Sequence, residues 1–262
     1  MVTCLTAVAS LEWLKLGFQS PRSRPDRLLP PLARTVLPTL TTFHFRGANE
    51  YSEDFISRVN PPLLKEVDIR LFHQLLFDVS QLHLFIRHSE TLSALNIANV
   101  VVGDCLARLE LSRRIYAFSR PGIRLSILCN ESGRQISFLA QVCNALSPTL
   151  STFESIKVGE NVSMPLGPGW AEDIESSQWL ELFHPFTSVK NLYLSTELAP
   201  LVASALQQPA EEGVTEVLPL LQNIYLEELK PLGPSQEGIG QFVAARQLFN
   251  RPVAVTPWDR CL

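Results

Sequence analysis

Val189-Lys190-Asn191-Leu192-Tyr193-Leu194 and, further along, Leu221-Gln222-Asn223-Ile224-Tyr225-Leu226 share one pattern, an apolar residue, two variable residues, then two apolar residues flanking a tyrosine. The last three positions alternate, which is the period-2 signature of a short strand with one buried face. The first apolar residue sits where the chain turns into that strand. Working outward, the same template returns as Leu11/Leu14/Leu16, Leu40/Phe43/Phe45, Leu64/Val67/Ile69, Leu92/Leu95/Ile97 and Phe153/Ile156/Val158. A weaker copy, Ile123-Arg124-Leu125-Ser126-Ile127, lacks the first apolar residue and places its unit at 122. Successive units start 24 to 36 residues apart.

Segments with helical spacing lie between these strands, at Ser52–Val59, Ser80–Arg87, Gln135–Leu146, Ser176–Phe186, Glu197–Gln208 and Gly238–Phe249. A strand-plus-helix unit of this size cannot bury its apolar face alone; stacked on its neighbours it shares a core. The expected fold is therefore an α/β leucine-rich-repeat solenoid with short parallel strands on one side, helices on the other and irregular coils. The spacing is slightly long for that repeat. About eight repeats form a single domain over 1–262, interrupted by a loop at 160–173 and closed by a C-terminal cap at 238–258. Prolines cluster at the junctions, Pro61-Pro62, Pro148, Pro200 and Pro219 among them, where they interrupt helices and set turns. Leu75-Leu76-Phe77 and Val100-Val101-Val102 read as irregular additional strands, and Leu106/Leu109/Leu111 matches the template out of phase.

The 262 residues carry a net charge of −4, with 46% hydrophobic residues, 18% charged residues and 42 leucines. A pI near 5.8 offers no excess of cations to displace counterions from a phosphate backbone, so nucleic acid is not the expected partner. Five cysteines without a CxxC pair fit a reducing compartment, and no apolar run reaches the length of a membrane span. The cytoplasm, the nucleus or both are the expected locations. Two Asn-x-Ser tripeptides, at Asn130 and Asn161, read as chance matches, and Met1–Ser10 lacks the basic start of a signal peptide.

No GxSxG elbow, P-loop or GxGxxG fingerprint is present. His83 and His88 miss the i, i+4 spacing of helical metal ligands. Acidic pairs such as Glu211-Glu212 and Glu227-Glu228 read as solvated charge, and the arginines at 22, 24 and 27 and at 113, 114, 120 and 124 as solvated surface. No catalytic, cofactor-binding or metal-binding residue is assigned. A hydrolase with a dispersed active site is the rival from another class.

The strand pattern does predict a surface, since the residue between the last two apolar positions points away from the core in every unit. That column reads Lys15, His44, Asp68, Asn96, Ser126, Lys157, Tyr193 and Tyr225, with Asn191 and Asn223 beside the two tyrosines. Its polar start and aromatic end suit protein recognition, though tolerated sheet-surface residues would read the same way. Trp170, ahead of a helix and in the 160–173 loop, is a further candidate anchor for a partner. Eight short strands give a strip on the order of 400 Å², about half of a standard interface side, so flanking loops are expected to contribute.

The repeats together with Asp173-Ile174-Glu175-Ser176-Ser177-Gln178-Trp179-Leu180-Glu181-Leu182-Phe183-His184-Pro185-Phe186 resemble mushroom-type fungal F-box proteins with degenerate leucine-rich repeats. The closing Ile239–Leu248 and Pro252-Val253-Ala254-Val255 resemble the same group's last helix and strand, so the resemblance runs from about Leu37 to Trp258. It implies the substrate-recognition region of a cullin-type ubiquitin ligase, with the repeats holding a target protein on a concave sheet face. The F-box itself, with its Leu-Pro-x-Glu-type opening, has no counterpart here. The chain is then a fragment, or a shortened relative that binds proteins without recruiting a ligase, and an adaptor is a partner only if an F-box is restored. The asparagine expected just past each strand is mostly absent, Asn99 being the best case.

Overall fold

Among the described residues of the computed structural model, alternating apolar residues and the helical segments between them build twenty elements. In chain order these are β1 (Trp13–Gly17), β2 (Thr35–Val36), β3 (Thr42–Gly47), α1 (Asn49–Arg58), β4 (Val59–Asn60), β5 (Glu66–Leu71), α2 (Ser80–Arg87) and α3 (Glu90–Ser93). Then come β6 (Ile97–Gly103), β7 (Leu106–Ser112), β8 (Ile123–Leu128), α4 (Ser132–Ala145), α5 (Ser147–Leu150) and β9 (Ser155–Glu160). The chain closes with α6 (Ser176–Phe183), β10 (Asn191–Leu194), α7 (Ala199–Leu206), β11 (Asn223–Glu227), α8 (Pro234–Leu248) and β12 (Ala254–Trp258). The structure describes residues 10–18, 34–72, 79–113, 122–129, 131–161, 163, 166–167, 169–170, 174–207, 217–227 and 234–258. The expected strand at Leu75–Phe77 and the arginines at 22, 24 and 27 lie outside them.

Ten strands form one open sheet in the order β1-β3-β5-β8-β7-β6-β9-β10-β11-β12, and β2 pairs with β4 in a separate two-residue ladder. Every neighbouring pair in the large sheet is parallel except the two that β7 makes with β6 and β8. This is a mixed α/β fold around a mostly parallel sheet. On both flanks, the successive strands of this sheet lie side by side in chain order. The middle departs from that order. After β5 the chain crosses to β6, returns through β7, and only then places β8 beside β5.

The reversal is a hairpin. Gly103 pairs with Leu106, so Asp104-Cys105 is a two-residue loop between two runs rich in aliphatic residues. Leu106/Leu109/Leu111, out of phase as a repeat, is the return strand: Leu109 and Leu111 are buried opposite Leu125 and Ile123. The Leu92/Leu95/Ile97 unit is corrected as well. Leu92 lies in α3, where its backbone N–H donates to Ser89 Oγ at 3.3 Å, and the strand begins only at Ile97. A Cβ on Gly122 would meet Leu95 at 3.0 Å and Leu92 at 3.4 Å, so these two leucines fill the place of the apolar residue that the unit at 122 lacks.

The core lies between one sheet face and the helices. Phe43, Phe45, Val67, Ile69, Ile156, Val158, Leu192, Leu194 and Ile224 join Phe55 and Ile56 of α1, Phe85 of α2, Leu139 of α4 and Trp179 of α6 in one continuous cluster. Gln178 ties α6 to α4: its Oε1 accepts from the Glu175 N–H, while its Nε2 donates to Gly133 O at 2.7 Å and Ser137 Oγ at 2.8 Å. Two junction prolines act differently from the expectation of helix interruption. Pro148 and Pro200 sit in the first turns of α5 and α7, where the missing N–H has no intrahelical acceptor. Among the described residues no helix is long and apolar enough to cross a membrane.

Candidate functional site

The sheet face opposite the helices carries the predicted column, with its register rewritten in the middle. Strand pairing aligns Lys15, His44, Asp68, Arg124, Glu110, Asn99, Lys157, Tyr193, Tyr225 and Thr256 in a single row across ten strands. Six predicted members, Lys15, His44, Asp68, Lys157, Tyr193 and Tyr225, fall in this row. Ser126 does not. It pairs with Arg70 and Arg108, one row further along the strands, and is 3% exposed. Asn96 precedes β6 and is exposed; within β6 it is Ala98, Val100 and Val102 that turn to the core, and Asn99 lies inside the strand rather than past its end. A one-residue change of phase moves every side chain to the other face.

Trp170 is the other correction, because it is 4% exposed and packs in the core cluster, so it is no surface anchor. Its backbone N–H donates to Gly167 O at 3.2 Å, and a Cβ on Gly167 would lie 3.0 Å from Asp104 Oδ1. The described part of the 160–173 loop thus folds back on the β6–β7 turn.

Glu110, which the sequence reading passed over, holds the centre of the row with Arg124, read there as solvated surface, and Asn99, read there as lying past a strand. Glu110 Oε1 accepts from Arg124 Nε at 3.0 Å and from Arg108 Nη1 at 3.4 Å, while Glu110 Oε2 accepts from Asn99 Nδ2 at 3.0 Å. Arg108 Nε also donates to Ser126 Oγ at 3.3 Å. Beside this group, Asp68 Oδ2 accepts from Arg70 Nη2 at 3.3 Å. Asp68 Oδ1 and Asn99 Oδ1 are buried acceptors without a hydrogen-bond partner among the described residues. Towards β1, His44 faces Glu66 at 3.7 Å and packs edge-on against Trp13, with centroids 5.5 Å apart.

The C-terminal corner is aromatic. Tyr193 and Tyr225 stack face to face with centroids 4.4 Å apart and ring planes 9° from parallel. Trp258 meets Tyr193 at 80° and 5.4 Å, and Lys157 Nζ lies 4.4 Å above the Trp258 ring. Next to the tyrosines runs a directed amide ladder: Asn223 Nδ2 donates to Asn191 Oδ1 at 2.9 Å, and Asn191 Nδ2 donates to Ser155 Oγ at 3.3 Å. Parallel in-register pairing makes both ladders, since equivalent residues of successive units become direct neighbours.

Chemically this face offers charged hydrogen-bond groups at its centre and stacked rings with amides at its end. Among the described residues no three His, Cys, Asp or Glu side chains converge as a metal site would require. Comparison with protein-family models, with curated proteins and with solved structures gives no match for this chain.

Proposed function

We propose that the chain is a protein-interaction scaffold that binds its partner on the sheet face opposite the helices. The observation that carries this reading is the Tyr193–Tyr225 stack beside the Asn191–Asn223 ladder, set on a face that the helical layer leaves open. Half-buried aromatics flanked by amides combine contact area with hydrogen bonding at low entropic cost. Ten strands at about 4.8 Å spacing span about 43 Å, and a strip about 15 Å wide on them is on the order of 650 Å². That approaches the roughly 800 Å² per side of a standard interface, with loops supplying the rest.

Within this proposal the fold is a degenerate leucine-rich-repeat solenoid into which the β6–β7 hairpin has been inserted. The chain-ordered parallel strands of the two flanks support that reading. The resemblance to fungal F-box proteins makes the bound protein a candidate target of a cullin-type ligase. No catalytic step is part of this function.

The test is affinity capture from the organism's own cells, comparing the native chain with a Tyr193→Ala/Tyr225→Ala variant. Both tyrosines are only half-buried, so folding should survive, as judged by the circular dichroism melt, while the specific partner is lost. Equal recovery of that partner by the two proteins would remove this corner from the interface. Co-recovery of adaptor and cullin subunits would support the ligase role, and their consistent absence would leave a scaffold without one.

A further inference from the structure

We propose that the partner presents an acidic, extended segment of about ten residues, laid across the strands from β3 to β11. This rests on the docking-face reading above and names the chemistry of its occupant.

Charge is the first argument. The three outward rows of the sheet carry six cations, Lys15, Arg46, Arg70, Arg108, Arg124 and Lys157, against four carboxylates, Glu66, Asp68, Glu110 and Glu227. The chain as a whole is acidic, at −4, so the face is a basic area on an acidic protein. The imbalance is concentrated towards the N-terminal half. Arg46 and Arg70 are direct register partners on β3 and β5, and both are exposed. Like charges directly opposite one another destabilise a sheet. Asp68 is the acid that meets this pair, through Arg70, while Arg46 lies 5.9 Å from the Phe72 ring. An acidic side chain from outside would sit between the two guanidiniums and offset their repulsion.

The rings supply the second argument, and they separate a peptide from a nucleic acid. Bases bind by stacking on an open aromatic face. Tyr193 and Tyr225 turn their faces to each other, and Trp258 meets Tyr193 edge to face. Each tyrosine therefore has one face covered by the other, which leaves less open ring for a base to stack on.

The experiment is fluorescence anisotropy with the full chain and fluorescein-labelled decapeptides alternating threonine with glutamate, glutamine or lysine, plus a labelled ten-residue oligothymidylate, at low salt. The glutamate peptide should bind about ten-fold or more tightly than the glutamine peptide, and raised salt should weaken it. Arg46→Glu with Arg70→Glu should reduce that binding about ten-fold or more. Arg46→Gln with Arg70→Gln should reduce it less, and it serves as the readout if charge reversal impairs folding.

Equal binding of the glutamate and glutamine peptides, no binding of the glutamate peptide, or indifference to both arginine variants would overturn the proposal. Oligothymidylate binding as tightly as the glutamate peptide would overturn it in favour of nucleic acid. The two readings fail separately. A captured partner that needs Tyr193 and Tyr225 but ignores Arg46 and Arg70 keeps the face and rejects the acidic segment, and a partner indifferent to all four residues rejects the face itself.

Discussion

Leu194→Asp should cost about 4 kcal/mol or more, a large share of a total stability of about 5–15 kcal/mol, and so lower the unfolding midpoint sharply. Leu194 is fully buried in β10, between Val158 of β9 and Leu226 of β11. Truncating a buried leucine already costs about 2–5 kcal/mol, and a carboxyl in its place must be either desolvated as an ion or protonated. Urea denaturation followed by circular dichroism reads the effect. Tyr193→Asp, one residue away on the outward face, is the control and should lower the midpoint far less, by the loss of its ring contacts, about 0.5–1.5 kcal/mol. A near-native midpoint for Leu194→Asp would mean that the assigned strand phase is wrong.

Arg246→Ala should cost about 2–3 kcal/mol although it removes a charged residue from near the C-terminal end. Arg246 is only 4% exposed, and its Nη2 donates to Leu218 O at 2.8 Å and Val217 O at 3.2 Å. Its guanidinium also lies 5.2 Å from the Phe242 ring centroid. The receiving turn is strained, since Leu218 has φ 51°, a left-handed conformation that a leucine seldom adopts. Without the guanidinium, Val217 O loses that donor, Leu218 O keeps the Leu221 N–H, and the turn into β11 loses its clamp. Arg246→Lys should recover little, because one ammonium cannot reproduce the planar fork. Thermal melting and amide exchange at residues 217–221 report on this, and an unchanged melt would show that the clamp is dispensable.

Both flanks of the sheet were readable from sequence because each repeat there pairs with the next in chain order. Asn191-Leu192-Tyr193-Leu194 and Asn223-Ile224-Tyr225-Leu226 are register partners position by position, so aligning their motifs also aligned their side chains. The helices followed equally, with Ser80–Arg87 recovered at both ends. The centre was not readable by the same route. Period-2 alternation is blind to strand direction and to shifts of two residues, so β7 looked like a repeat out of phase and β8 was placed two residues out of step with β5. That is why Arg124 and Glu110 escaped the column while Ser126 entered it; Asn96 took the place of Asn99 for a different reason, because Leu92 and Leu95 precede the strand and mimic the template one residue out of phase. One available signal was Gly103-Asp104-Cys105-Leu106, a turn-forming stretch between two alternating runs, which reads as a hairpin. Trp170 was misjudged for another reason: its position ahead of a helix says nothing about whether the loop folds inward.

The β6–β7–β8 excursion also sets an order of events during synthesis. Val67 on β5, already paired with Phe43 of β3, finds its second sheet neighbour only when Ile123 has left the ribosome, after the whole of β6 and β7. Until then the nascent chain displays β5 as an open rim of unpaired amides and carbonyls, the kind of template that captures stray strands. The N-terminal segment therefore has a vulnerable interval in the cell, and a ribosome pause just before Ile123 would lengthen it.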